Sequence, residues 1–268
     1  MGSLRAGAAL AAGLVLLALV GPAFVPDPSR LDLDATLAPP STLHPMGTDG
    51  LGRDLAARVV HGARVSLAVG VLSAAVSLLL GIPLGTWAGL RGGLADRAVS
   101  GTIEALLCFP SLLLVLGMLT LAPPWLAGLP DPIRIGLVLG AVGGAPSARF
   151  VRGEVRRLAG RARFQAARAA GSGPLRTAVR HVLPSALAPV LVVAAFAVGG
   201  AIGLEAALSF LGLGVSPPTP SWGGLLQEAR SHLDRWWLAT FPGAALFAAV
   251  LGCNLLGEGL RVRLGPRR

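Results

Sequence analysis

The chain has 268 residues, of which 53% are hydrophobic and only 13% charged, with a mean hydropathy of +0.70. An ordinary soluble domain is about 25% charged, so the composition excludes one and points to a polytopic membrane protein. The net charge of +10 does not indicate nucleic acid, because it is partitioned loop by loop and no aromatic-interleaved basic patch accompanies it.

Six apolar runs are predicted to form membrane spans of an all-α helical bundle. The first, residues 6–25, follows Arg5 as a signal peptide would. It is long for such a segment and no A-x-A site follows, so it is read as an uncleaved span. The second, 65–90, is uncharged. The third, 98–121, contains Glu104, and the fourth, 135–151, is the weakest, with a strictly uncharged core of only 14 residues. The fifth, 186–213, contains Glu205, and the sixth, 236–256, is again uncharged. The expected organisation is a region 1–63, a core 64–264 and a tail 265–268. The first region holds a span and an external segment with a short amphipathic helix; the core holds five spans.

Between the fourth and fifth spans, residues 149–185 carry nine arginines and one acid, Glu154. An arginine at a helix centre in lipid costs about 2.5–3.5 kcal/mol, so this segment is a loop. With the N-terminus inside, the inner segments hold 16 arginines against three acids (+13) and the outer ones seven against eight (−1). The positive-inside tendency then puts both termini and the basic loop in the cytoplasm.

All 23 basic residues are arginine. Without lysine there is neither a Walker A motif nor a Schiff base, so any ATP that drives this protein is hydrolysed on another chain. The four histidines show no ligand spacing, and no metal site or catalytic residue is expected. Cys108 and Cys253 lie in apolar runs and read as packing residues.

Small residues recur at four-residue spacing in three spans: Gly81, Gly85 and Gly89; Gly136, Gly140 and Gly144; Gly199, Gly203 and Ala207. Such strips let helix backbones approach closely, within or between subunits. In the basic loop, good helix formers over 162–170 are followed by Gly171-Ser172-Gly173, and Pro174 suits the start of a second helix that ends near Pro184. Charge alone would make this loop a lipid-headgroup contact. The alanine pair and the Gly turn favour a docking surface.

Gln165-Ala166-Ala167, Gly171 and Leu183-Pro184 resemble the EAA loop of ATP-binding-cassette importer permeases. The resemblance implies a coupling helix docked in a groove of a cytoplasmic ATPase, with Gln165 standing where that loop usually has Glu. Ahead of the second span and into its start, His44-Pro45-Met46-Gly47-Thr48-Asp49 followed by Gly52-Arg53-Asp54, Arg58, Gly62, Arg64 and Ser66-Leu67 resembles a signature of the dipeptide/oligopeptide/nickel permeases. Read on its own, this stretch is a helix capped by Thr48 or Asp49, with i,i+4 pairs Asp49–Arg53 and Asp54–Arg58. A third stretch, from Glu205 through Pro217, Pro218 and Pro220 to Trp222, resembles the end of span five and the outer loop in that family. There, Pro218 and Trp222 are candidates either for contact with a binding protein or for anchoring the loop. Trp222, Trp236 and Trp237 all suit the membrane interface.

The resemblance covers roughly residues 43–264 and implies the type I importer permease fold. It further implies a heterodimer with a second, homologous permease, two cytoplasmic ATPase subunits that hold ATP and Mg, and an extracytoplasmic solute-binding protein. The chain itself would bind no cofactor and would sit in the inner membrane of a prokaryote. The solute would be a di- or oligopeptide, with nickel or another small solute as the alternative. An ion-coupled secondary transporter is the more distant reading. Glu104 and Glu205 are expected either to serve the pathway or to make structural hydrogen bonds.

Overall fold

The computed structural model describes residues 2–162, 164–165, 173, 176, 180 and 183–264. Among these the chain is helical, with a single isolated bridge between Thr48 and Asp54 as its extended pairing. The helices are α1 (Gly2–Val20), α2 (Leu55–Arg91), α3 (Gly93–Cys108), α4 (Ser111–Thr120), α5 (Pro124–Ala127), α6 (Asp131–Ala159), α7 (Leu183–Phe210), α8 (Trp222–Ala229) and α9 (Trp236–Leu264).

Among the described residues, four segments are long and apolar enough to cross a membrane: Gly2–Ala23, α2, the Ala188–Phe210 part of α7, and α9. A fifth is α3 with α4, which meet at 95°. The sequence reading treated this pair as one run. The break lies at Phe109–Pro110, where Pro110 offers no N–H and forces Phe109 into extended backbone (φ −86°, ψ 138°). α6 fails on composition because it carries Arg149, Arg152, Glu154, Arg156 and Arg157 in its C-terminal half.

Two further expectations need correction. The external amphipathic helix is not a separate element: residues 47–54 form turns, and α2 starts at Leu55 and runs without a break past residue 63. Its cap is Asp54, whose Oδ1 accepts from the Ala57 N–H at 2.8 Å, rather than Thr48 or Asp49. Such a cap contributes about 1 kcal/mol. The basic loop does not begin at residue 149, because α6 continues to Ala159.

α2 and α6 form the most extensive helix pair, and two of the glycine strips explain it. A Cβ on Gly85 would stand 2.5 Å from the Ala148 carbonyl oxygen, and one on Gly140 would stand 2.5 Å from Val76 Cβ. Backbone therefore meets side chain from both helices, which in lipid yields dispersion contact without any need for water expulsion. Both strips pack within one chain. The third does not form a continuous seam: Gly199 faces Cys253, while nothing lies within 4 Å of a Cβ at Gly203.

α9 packs on α1 and α7, and α8 lies across α7 and α9. At the end that the charge count assigns to the outside, Leu55, Val59, Ile202, Trp222, Leu225, Trp237 and Leu238 form one buried cluster. At the inner end, Val151, Val155 and Leu158 of α6 pack with Phe164 and with Ala186 and Val190 of α7.

Candidate functional site

Three regions carry chemistry. In the middle of the bundle a partly open cavity of about 820 Å³ lies between α2, α3, α4, α6 and α7. Its walls are largely apolar, with Phe109, Met118, Phe150 and Phe196, and its polar groups are the hydroxyls of Ser73, Ser77, Ser111 and Ser147. Ser77 donates to the Gly143 carbonyl at 2.7 Å and lies 2.6 Å from the Ser147 hydroxyl, so these hydroxyls also tie α2 to α6. A largely apolar chamber with a few hydroxyls solvates a mid-sized solute without selecting strongly among side chains.

At the outer end, residues 47–54 fold into a compact knot. Gly47 (φ +79°) and Gly52 (φ +72°) occupy the left-handed region, and a Cβ on Gly52 would fall 1.6 Å from the Asp32 carbonyl oxygen. Thr48 Oγ1 accepts from the Ala38 N–H at 2.8 Å and donates to the Ala35 carbonyl at 2.5 Å. Asp49 is 2% exposed and accepts four bonds: from the N–H groups of Leu51 (2.8 Å) and Arg53 (3.0 Å), from Arg53 Nε (2.6 Å) and from Arg58 Nη1 (2.5 Å). Arg58 also grips Glu228 of α8 with both Nη atoms, at 2.5 and 2.8 Å, and Arg53 Nη2 donates to Glu228 at 3.1 Å. Asp54 does not pair with Arg58; its Oδ2 lies 2.9 Å from His44 Nδ1. Trp237 Nε1 donates to the Thr48 carbonyl at 3.2 Å. The knot thus clamps α2 to α8 and α9.

Asp131, at the outer start of α6, accepts from Arg134 Nη2 at 2.6 Å and from the Ser216 N–H at 2.9 Å. Burial pushes its carboxyl upward, but the Ser216 N–H bond and the Arg134 charge outweigh it and hold the group below the usual carboxylate range.

At the inner end, Asp96 of α3 is 4% exposed and receives Arg152 Nε at 2.5 Å and Nη2 at 3.0 Å, with Arg156 on the same carboxylate. Two of the basic segment's arginines therefore tie α6 to α3. Gln165 is exposed and donates from Nε2 to the Gly160 carbonyl at 3.3 Å, back onto the end of α6. A glutamate at this position has no proton to give that carbonyl when ionised.

The comparisons with known proteins agree with this architecture. Residues 81–268 match the family model described as "Binding-protein-dependent transport system inner membrane component". The chain belongs to this family. It is 39% identical to the di/tripeptide transport system permease protein DppC of Pseudomonas aeruginosa (strain UCBPP-PA14), over 95% of this chain and 84% of that one. It is 37% identical to the glutathione transport system permease protein GsiD of Pectobacterium atrosepticum, over 98% of this chain and 88% of that one. Among solved structures, the inward-facing MetNI methionine ABC transporter matches with a TM-score of 0.66 at 18% identity, over 78% of this chain and 97% of that one. That likeness shows the fold. The helical content, the long apolar helices and these relatives make the chain a multi-pass membrane component of the importer type.

Within this permease-type chain, Gly47, Thr48, Asp49, Gly52, Arg53, Asp54 and Arg58 come together in the outer knot. The residues expected to couple to an ATPase are covered only in part. Gln165, the helical backbone at Leu183 and an exposed Pro184 are described, whereas Ala166, Ala167 and Gly171 lie outside the described residues, as does the tail 265–268. Glu104 is exposed on α3. Glu205 is fully buried and does not line the cavity: Ser66 Oγ and Ser209 Oγ donate to it at 3.1 and 2.8 Å. Solvent access from the outer end, the simplest account of an acid so placed, is excluded by α2 and the loop that folds over it. Pro218 is exposed, but Trp222 is 0% exposed, with Nε1 donating to the Val59 carbonyl at 3.0 Å. A partner could reach Pro218 and not Trp222. Of the three tryptophans assigned to the interface, only Trp236 is exposed.

Sequence reasoning missed three contributors and the role of a fourth, Arg64. Glu228, the partner of Arg58, carried one signal: it is the lone acid of residues 206–233. Phe164, next to Gln165, is 2% exposed and packs the segment after α6 against α6 and α7. Arg64 donates to the Ala18 and Leu19 carbonyls at 2.5 and 2.9 Å, closing the C-terminus of α1. Ser221, an ordinary loop serine in sequence, caps α8 by accepting from the Gly224 N–H at 3.2 Å.

Proposed function

We propose that this chain is one of two permease subunits of a peptide importer. A second, homologous permease would complete the pathway, two cytoplasmic ATPases would hydrolyse ATP with Mg, and an extracytoplasmic binding protein would deliver di- or oligopeptides. The observation that carries the reading is the 820 Å³ chamber between α2, α3, α4, α6 and α7, in a chain whose relatives are named as di/tripeptide and glutathione permeases. Its hydroxyls suit peptide N–H and C=O groups, and its aromatic and aliphatic walls tolerate varied side chains.

In this reading the chain crosses the inner membrane six times, through α1, α2, the bent α3–α4 pair, α6, α7 and α9, with both ends cytoplasmic. α6 crosses despite its arginines because they gather at its inner end, where Asp96 and Glu154 pair with Arg152, Arg156 and Arg157. The segment that follows α6, centred on Gln165, Ala166, Ala167 and Gly171 and closing at Leu183-Pro184, docks on the ATPases. Their closure pushes on α6 and α7, which form two walls of the chamber, and access alternates between the two faces.

The test is uptake by the complete complex in proteoliposomes, with its cognate partner permease, ATPases and binding protein. Labelled dipeptide should accumulate only with internal-side ATP and external binding protein, and Ala201→Trp, which fills the chamber, should abolish accumulation while the complex still assembles. Uptake driven by an imposed ion gradient without ATP would overturn the reading in favour of a secondary transporter.

A further inference from the structure

The buried carboxylate of Glu205 stands at the receiving end of two hydrogen-bond wires, and both begin on the first turn of α8. In one, the Trp222 N–H donates to Ser66 Oγ at 3.3 Å, and Ser66 Oγ donates to Glu205 Oε2 at 3.1 Å. In the other, the Gly224 N–H donates to Ser221 Oγ at 3.2 Å, Ser221 Oγ to Ser209 Oγ at 3.3 Å, and Ser209 Oγ to Glu205 Oε1 at 2.8 Å. A helix N-terminus leaves its first N–H groups without backbone acceptors. Each hydroxyl here is held to one direction, because a backbone N–H can only donate and both Glu205 oxygens accept. Glu205 therefore satisfies α8 through three serines, although no atom of α8 touches it directly in either wire.

The packing around the wires is backbone-close. A Cβ on Gly223 would lie 2.5 Å from the Ala206 carbonyl oxygen, and one on Gly214 would lie 2.0 Å from Ser209 Oγ. The wires join three elements: Ser66 on α2, Glu205 and Ser209 on α7, and the start of α8. The far end of α8 is held independently by Glu228 on Arg58 and Arg53. At its inner end α7 begins at Leu183, directly after the basic segment, and its 28 residues span about 40 Å.

We propose that Glu205 is a positioning residue for transport: it welds the outer ends of α2 and α7 to α8, so that displacement of α7 at its cytoplasmic end is delivered to the helix on the outer face. The proposal rests on the transport reading given above. Two accepting oxygens are what the wires need. A glutamine of the same size brings an NH₂ donor toward Ser66 or Ser209, so that the hydroxyl proton of that serine loses its acceptor and the wire is broken there.

The experiment uses the full complex in nanodiscs with its binding protein. Glu205→Gln is expected to leave assembly and basal ATP hydrolysis unchanged but to reduce binding-protein stimulation about five- to tenfold, the range of a typical coupling between sites. Ser221→Ala, which breaks one wire, should act in the same direction. The double variant should lose less than the product of the two single losses, because both changes act on the same connection. A second readout follows α8 itself. With Cys108 and Cys253 replaced by Ser, a single Gln227→Cys on α8 should react with a water-soluble maleimide at a rate that changes on adding ATP in the parent and stays constant in Glu205→Gln.

Stimulation equal to the parent in Glu205→Gln, or losses that multiply in the double variant, would each overturn the proposal. Should Glu205→Gln fail to assemble, Ser221→Ala decides by the same two readouts. Absence of ATP-dependent uptake in the parent complex would instead overturn the transport reading, whereas a normal parent with a normal Glu205→Gln overturns the weld alone.

Discussion

Asp49→Ala perturbs the outer knot at its most connected atom pair. The carboxylate is 2% exposed and accepts four hydrogen bonds, two from backbone N–H groups and two from guanidinium groups. Its removal leaves the Leu51 and Arg53 N–H groups without that acceptor and puts Arg58, itself 3% exposed, on Glu228 alone. Breaking a buried charge pair from one side costs about 3–5 kcal/mol. Glu228 remains on Arg58, so we place the loss at the lower end, about 3 kcal/mol. Glu228→Ala removes two ion pairs as well, but its side chain is 34% exposed and both arginines keep Asp49. Screening by solvent brings that loss to about 1 kcal/mol.

For a chain of this size each kcal/mol shifts a melting midpoint by about 2–4 °C. Thermal unfolding of the detergent-solubilised protein, followed by tryptophan fluorescence, should therefore fall by about 6–12 °C for Asp49→Ala and about 2–4 °C for Glu228→Ala. The probe is local, since the buried Trp222 and Trp237 pack in the same cluster and Trp237 Nε1 bonds the knot at Thr48. An Asp49→Ala midpoint within 2 °C of the parent, a shift below the smallest expected for this range, would refute the view that this carboxylate organises the knot. So would a larger loss from Glu228→Ala.

Two further outcomes follow from single atoms. Gly52→Ala and Gly212→Ala both force a side chain into a left-handed backbone (φ +72° and +79°), yet the first Cβ meets a backbone oxygen at 1.6 Å and the second a flexible Gln227 Nε2 at 3.3 Å. Gly212→Ala should lower the midpoint by the backbone strain alone, about 1–2 kcal/mol, and Gly52→Ala by clearly more, as differential scanning fluorimetry would show. Asp131 has a folded pKa below its ordinary value, so its contribution is complete at neutral pH and disappears as pH falls through that depressed value. Asp131→Asn should then destabilise the protein at pH 7 and converge with the parent in acid, which a series of melts from pH 7 to about pH 3 would reveal.

Much of the fold is legible in the chain because lipid enforces it. Long uncharged runs have to be helical to satisfy their own backbone groups, and α1, α2, α7 and α9 lie where those runs are. The boundaries moved where polar residues found partners that no linear pattern displays. α2 gained a turn and more at its start because Arg58 could be buried against Asp49 and Glu228, and α6 continued through Arg152 and Arg156 because Asp96 of α3 received them. The α3–α4 break was written in Pro110, a local signal that the run of apolar residues overshadowed. At the site, the seven residues of the outer motif were visible as a group, but their pairing was not: Asp54 turned to His44 and Arg58 to Glu228, 170 residues away.

By itself the sequence determined that this protein lives in a membrane and which of its segments carry the positive charge. Those properties depend on composition and on residue types that are present or absent, and folding does not alter them. The tertiary structure alone decided what each charged or polar group inside the bundle is for. Trp222 was turned inward, Glu205 was enclosed by three serines, and the glycine strips of α2 and α6 were matched with each other inside one chain. A buried polar group is defined by its partners, and here those partners come from helices far apart in sequence.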